Sequence, residues 1–324
     1  MNITALKQLY DQAKLSPQDY DYAIDVLSKL ELFSNTKADE LGLASLDAFI
    51  QWLVEHNLNT VKSFVSMMRY YKLIKRHDLF VRLTQYTGGL DVIENILINL
   101  ERQEGLLTKE AVTKDLILPY LGMPPEEVIH FTEAFMLRLT THVSADSLKT
   151  ILAHNNHGVP ESAFMVDITE YEQAPSLEVF LKGMHERSVA TLQRHADENK
   201  IWFEQIIDQP VVDYVKNDPH LLSAVLENGS LILKKIPYDI KNFLKTTDPL
   251  QKRYLSCHCP FAREAILNPS VDINPIWCHC SAGFEKFPFE VILKQKLKIK
   301  VLKNVLQGDT ECLFEIPLQG IQYK

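Results

Sequence analysis

LKIKVLKNVLQGDTECLFEI, residues 297–316, decides the fold class. Leu297, Ile299 and Val301 alternate with Lys296, Lys298 and Lys300, the period of two that gives a strand one apolar and one lysine face. Gly308-Asp309 supplies a turn, and Cys312-Leu313-Phe314-Glu315-Ile316 reads as the returning strand. Lysines on a strand mark a solvated face or a guarded edge, so this row is not read as a nucleic-acid patch. The rest of the chain is dominated by helical spacing. The expected fold is therefore α+β, a helical N-terminal region followed by a small α+β C-terminal module that carries the cysteines.

Working back from that hairpin, Asp239 to Leu244 suits a short helix. Leu231-Ile232-Leu233 and Ile236 suit a strand after the Asn228-Gly229 turn, and Leu221 to Leu226 reads as helical. Pro175-Ser176 opens a long helix over 177–207 containing Phe180, Leu192, Trp202 and Ile206, and 161–175 reads as a linker. Upstream of it stands helix after helix. Ser16-Pro17 caps one, Ser45 and Thr60 open two more, Gly88-Gly89 makes a break, and Asp91 caps the next. Further helices fit 109–118, 125–140 and 145–154. The expected division is an all-helical domain over 1–160 and a module over 161–324 with the long helix and the Cys-rich region.

A chain of 324 residues with 46% hydrophobic and 23% charged residues can bury a core without disulfides. Its net charge of −8 argues against a general nucleic-acid binder, which needs a basic surface. The first residues lack a basic segment followed by an apolar run, and no stretch approaches about 18 apolar residues. These patterns predict an intracellular, cytoplasmic protein with no membrane partner. Its five cysteines are then thiols, suited to metal binding or catalysis rather than to a disulfide framework.

Those cysteines stand at 257, 259, 278, 280 and 312. Random placement of all five in so short a C-terminal stretch has odds below about one in a thousand, which makes the clustering the strongest local signal. Cys257-His258-Cys259-Pro260 and Cys278-His279-Cys280-Ser281 look alike, each a Cys-His-Cys entering what reads as a helix. Three readings stand open. Cys257, Cys259, Cys278 and Cys280 could supply a tetrahedral zinc site, with His258 or His279 as substitutes. Cys259 or Cys280 could be a catalytic thiolate, its pKa lowered at a helix N-terminus and a histidine of the other motif serving as base. Or the two turns simply pack together as small buried hydrophobes. Cys312 on its strand reads as core. His154-Asn155-Asn156-His157 reads as a polar loop at a helix end. No Gly-rich phosphate loop, Gly-x-Ser-x-Gly or His-Glu-x-x-His is present.

The pattern Cys-x-Cys-Pro-Phe-Ala-Arg-Glu, then Trp277-Cys-x-Cys-Ser-Ala-Gly-Phe-Glu-Lys, then Val301-Leu302 and Gly308-Asp309-x-x-Cys312-x-Phe314 resembles an uncharacterised bacterial family. More distantly it is similar to 4-vinyl reductase-like small-molecule-binding domains and aminothiazoline-carboxylate hydrolase-like proteins. The resemblance covers the last third of the chain at most. It implies a ligand-binding module whose cysteine cluster takes a small molecule or a metal such as zinc, with a sensory role in view. The doubled Cys-His-Cys departs from the reductase-like pattern, so no ligand set is carried over. The alternatives are a thiolate- or zinc-dependent hydrolase, and an interaction protein docking a partner through its helical part.

Overall fold

A computed structural model describes residues 1–324. The chain parts into two units, one formed by residues 1–88 with 119–125, the other by 89–118 with 126–324.

The first unit is helical: α1 (Ile3–Gln12), α2 (Pro17–Ser34), α3 (Leu43–Glu55), α4 (Val61–Leu73) and α5 (His77–Thr87). Ser16 and Thr60 cap α2 and α4, their hydroxyls accepting the backbone N–H of Asp19 and Ser63 at 3.1 Å each. α3 begins two residues before Ser45, because Gly42 is extended and serves as its cap without a side-chain bond. Apolar residues at helical spacing, among them Leu27, Leu30, Phe49, Ile50, Phe64 and Met67, close the core. Segment 119–125 belongs to this unit through its backbone. Gln51 and Asn59 donate their side-chain amides to the carbonyls of Gly122 and Leu121 at 3.0 and 2.7 Å.

The second unit begins with α6 (Val92–Glu104), α7 (Leu106–Thr113), α8 (Pro125–His142) and α9 (Ala145–Leu152). It continues with α10 (Met165–Gln173), α11 (Leu177–Asp197), a short hairpin of β1 (Ile201–Trp202) and β2 (Gln205–Ile206), and α12 (Gln209–Lys216). Then follow β3 (Val225–Glu227), β4 (Ser230–Lys234), α13 (Ile240–Phe243), α14 (Pro249–Ser256), α15 (His279–Leu293), β5 (Lys300–Lys303) and β6 (Leu313–Pro317). The last four strands form one antiparallel sheet in the order β3-β4-β6-β5. Leu231 opposes Ile316 and Leu233 opposes Phe314, so one face of the central pair is fully apolar. That face joins a core with Phe289, Ile292 and Leu293 of α15 and Leu177, Phe180 and Leu181 of α11. Each such side chain contributes about 1.5–3 kcal/mol by leaving water. The fold class is α+β as expected.

Four expectations need correction. The long helix stops at Asp197, ten residues early. Asn199 takes a left-handed φ of 50° and the N–H of Lys200 reaches back to the His195 carbonyl at 2.8 Å, a hydrogen-bonded stop that places Trp202 and Ile206 in a hairpin. Leu221 to Leu226 is a turn into β3, with Leu222 at a φ of 56°. Residues 161–175 are no linker: a 3-10 turn and α10 fill them, and Tyr171 meets Phe180 edge-on at 5.3 Å. Nor do contacts part at 160/161, because one buried cluster joins Ile96, Phe135, Leu139 and Ile151 to Phe261, Trp277 and Cys280.

Candidate functional site

The two Cys-His-Cys motifs fold differently. Cys257 is the residue that ends α14, and after it Ala262 and Arg263 donate their N–H groups to the Cys259 carbonyl at 3.2 and 2.9 Å, closing a turn rather than opening an α-helix. In the second motif a 3-10 turn, Pro275–Cys278, runs straight into α15, so Cys278 caps the helix and Cys280 lies within its first turn. Only the second motif enters an α-helix, as both were expected to do. Gly283, one turn further on, lets α15 press against the chain after α9. A methyl group there would stand 2.6 Å from the Ala153 carbonyl carbon and the His154 carbonyl oxygen.

All five cysteines are free thiols, four of them buried and Cys259 half-buried. The Trp277 indole N–H donates to Cys259 Sγ at 3.2 Å, and that indole is held edge-on by Phe135 and Phe261. Cys312 sits in the sheet core, as the strand pattern suggested. The motif histidines serve backbone carbonyls instead of thiols: His258 donates to Ile236 at 2.7 Å and His279 to Ile276 at 3.0 Å. The imidazole that does face a cysteine is His157, whose Nε2 lies 3.8 Å from Cys280 Sγ. It comes from the loop read as a polar helix end. Asn156, fully buried, pins that loop by donating to the Ile151 and Leu152 carbonyls and accepting from Asn99 at 2.9 Å. The sequence signal for it is slight: a second His-rich run whose partner is distant in the chain.

Burial pushes the Cys259 and Cys280 thiols above their ordinary range. The lowering expected from a helix N-terminus is overturned: at Cys259 burial outweighs the Trp277 N–H and the backbone N–H donors around the sulfur. The thiols of Cys257 and Cys278 are also pushed up, by burial first and then by the neighbouring thiols, and Cys312 rises to about 11. Both sulfurs proposed as nucleophiles are therefore protonated at neutral pH. Burial drives His157 down to about 4 and His258 down to about 3, with Lys235 adding to both. Burial also opposes the charge on Lys235, but Glu285 at 2.8 Å prevails and holds its pKa above the usual lysine value. Arg263 stacks between the rings of Tyr238 and Tyr254, at 3.8 and 4.3 Å from their centres. No group of three or more His, Cys, Asp or Glu side chains is arranged to hold a metal ion, so the set Cys257, Cys259, Cys278 and Cys280 is not preformed.

The open face of the module is more inviting. A cleft of about 390 Å³ is lined by Lys149, Pro275, His279, Ile299, Lys300 and Gln307, among others. Because the Ile276 carbonyl can only accept, His279 Nδ1 carries the proton and Nε2 keeps its lone pair. Burial, and then the charge of Lys149, keep this imidazole below its ordinary pKa and so neutral at pH 7. Lys149 and Lys300 each hold a surface carboxylate, Asp146 at 3.2 Å and Glu315 at 3.1 Å.

Residues 241–322, about a quarter of the chain, match a family of unknown function, DUF6144. That segment contains every cysteine and most of the cleft lining. No curated protein and no solved structure matches the chain. No helix is long and apolar enough to cross a membrane.

Proposed function

We propose that the C-terminal module binds a small anionic molecule in the cleft beside His279. The observation that carries the reading is the pairing of two lysines with an imidazole of fixed tautomer in a concavity of about 390 Å³, within the roughly 300–1,000 Å³ of small-molecule sites. A carboxylate or phosphate would replace Asp146 and Glu315 on Lys149 and Lys300. Exposed pairs of that kind are worth about 0–1 kcal/mol, so the exchange costs little. His279 Nε2 would accept an O–H or N–H from the same ligand. The likeness of the Gly308-Asp309 and Cys312-x-Phe314 ending to 4-vinyl reductase-like ligand-binding domains points the same way. The protonated, enclosed thiols weigh against a thiolate hydrolase.

The test is calorimetric titration of the full chain with inorganic phosphate, malonate and citrate, against the double variant Lys149→Ala/Lys300→Ala. Saturable binding by at least one probe is expected. The double variant should lose about tenfold in affinity or more, roughly 1.4 kcal/mol. No saturable binding to the unmodified chain, or binding that the double variant leaves intact, sinks the proposal.

A further inference from the structure

Arg263 is a buried cation to which the fold gives no acceptor. The residue is 9% exposed, and its guanidinium carbon stands 3.8 and 4.3 Å from the ring centres of Tyr238 and Tyr254. A cation over a ring is attracted by the π face, so the two rings cover the faces of the guanidinium but accept nothing from the N–H groups on its edge. The Nε–H is sealed from solvent without a hydrogen-bond partner. Carboxylates of the same region are engaged elsewhere. Glu264, the next residue, accepts from the Tyr254 hydroxyl at 2.9 Å, and Glu285 holds Lys235 at 2.8 Å. An arginine cannot shed its proton to escape the cost of an unmatched buried charge. The backbone fixes the position of the side chain, because the Arg263 N–H closes the turn onto the Cys259 carbonyl at 2.9 Å, and Phe261 and Ala262 within that turn are buried.

We propose that Arg263 anchors a second ligand site, which takes a small planar monocarboxylate at the open edge of the guanidinium between Tyr238 and Tyr254. The guanidinium fork matches a carboxylate through two parallel N–H···O bonds in one plane. With a ring on either face, that plane is the direction left for an arriving acceptor, and the two terminal nitrogens are the donors, since Nε is sealed. A carboxylate lies flat in the plane, whereas the tetrahedral oxygens of a phosphate run into the rings. One guanidinium also matches one negative charge, so a dicarboxylate would bring a second charge with no partner. The site shares no residue with the cleft beside His279, and either can fail without the other.

The test follows the arginine Nε–H resonances of the full chain, labelled with nitrogen-15 at arginine, during titration with acetate and with benzoate. The Arg263 signal is the one missing from Arg263→Lys. Expected is a saturable movement of that signal with either probe, unchanged in Lys149→Ala/Lys300→Ala. Benzoate should also raise the melting temperature of the unmodified chain, since a ligand that binds the folded state stabilises it. Arg263→Lys, which keeps the charge but loses the fork, should need at least tenfold more benzoate for the same rise. A signal that neither probe moves overturns the proposal. So does a movement that vanishes in Lys149→Ala/Lys300→Ala, which would place the ligand in the cleft. Tighter binding of inorganic phosphate or malonate than of acetate at the same signal would overturn the ligand class. If Arg263→Gln, taken in place of Arg263→Lys for assignment, or Arg263→Lys itself fails to fold, the titration of the unmodified chain against the Lys149→Ala/Lys300→Ala chain still decides, because a purely structural guanidinium leaves every arginine signal unmoved.

Discussion

At the scale of single residues, two enclosed histidines of the second unit shape its response to pH. His157 and His258 are neutral in the fold because burial lowers them to about 4 and about 3, whereas a solvated histidine titrates near 6.5. The unfolded chain therefore binds more protons than the folded one between those values. The stability each contributes is complete above about pH 6.5 and is lost as pH falls toward the folded pKa, at about 1.4 kcal/mol per pH unit for each group. Denaturant midpoints measured from pH 7 to pH 5 should fall, and His258→Gln should flatten the slope. A midpoint constant over that range would mean that neither imidazole is as enclosed as its contacts indicate. The carboxylates held low by lysines, such as Glu311, add their loss only further down, below about pH 4. None of this was legible in the motif itself. Cys-His-Cys names the groups but not the carbonyls of Ile236 and Ile276 that claim both histidines.

At the scale of elements, the sequence was most readable where local chemistry is decisive. The caps at Ser16 and Thr60, the Asn228-Gly229 turn and the returning strand after Gly308 are all present, because each is set by residues within a few positions. It was least readable where a tertiary contact overrides the pattern. Trp202 and Ile206 continue the helical spacing of α11, yet Asn199 turns the chain and a hairpin takes them. Gly283 is the clearest case: within a helix it reads as a small destabilising residue, but its place is set by α15 lying against Ala153 and His154. Gly283→Ala forces a Cβ to 2.6 Å from backbone atoms that cannot swing aside. A loss of about 1–3 kcal/mol is expected, the range for overpacked cores, in place of the gain of up to about 1 kcal/mol that Gly→Ala brings to an unobstructed helix. Thermal melts of the two proteins decide the sign. A stabilised Gly283→Ala would mean that α15 can move away from the loop carrying His157.

At the scale of the whole molecule, the linker reading of residues 161–175 suggested a boundary that one buried cluster spans. Of the twenty-two buried residues in the cluster around Trp277, fifteen lie between Val92 and Leu152 and seven between Phe261 and Cys280. Helical spacing made both groups recognisable as apolar faces, but a spacing pattern does not say which face meets which. The cysteine motifs therefore owe their burial to helices on the far side of the expected division. A fragment of residues 161–324 would leave Phe261, Ile273 and Trp277 without their partners. Losing contact with three side chains worth about 1.5–3 kcal/mol each removes roughly 5–9 kcal/mol, a large share of the roughly 5–15 kcal/mol that holds a domain together. That fragment is expected to show no cooperative melt and little near-ultraviolet dichroism from Trp277. A fragment of residues 89–324 keeps the whole cluster and is expected to melt in one transition, with 119–125 as a loop. If the shorter fragment melts as sharply as the longer one, the sheet core around Phe314 is self-sufficient, and the burial of Cys280 is a secondary docking event rather than part of the fold.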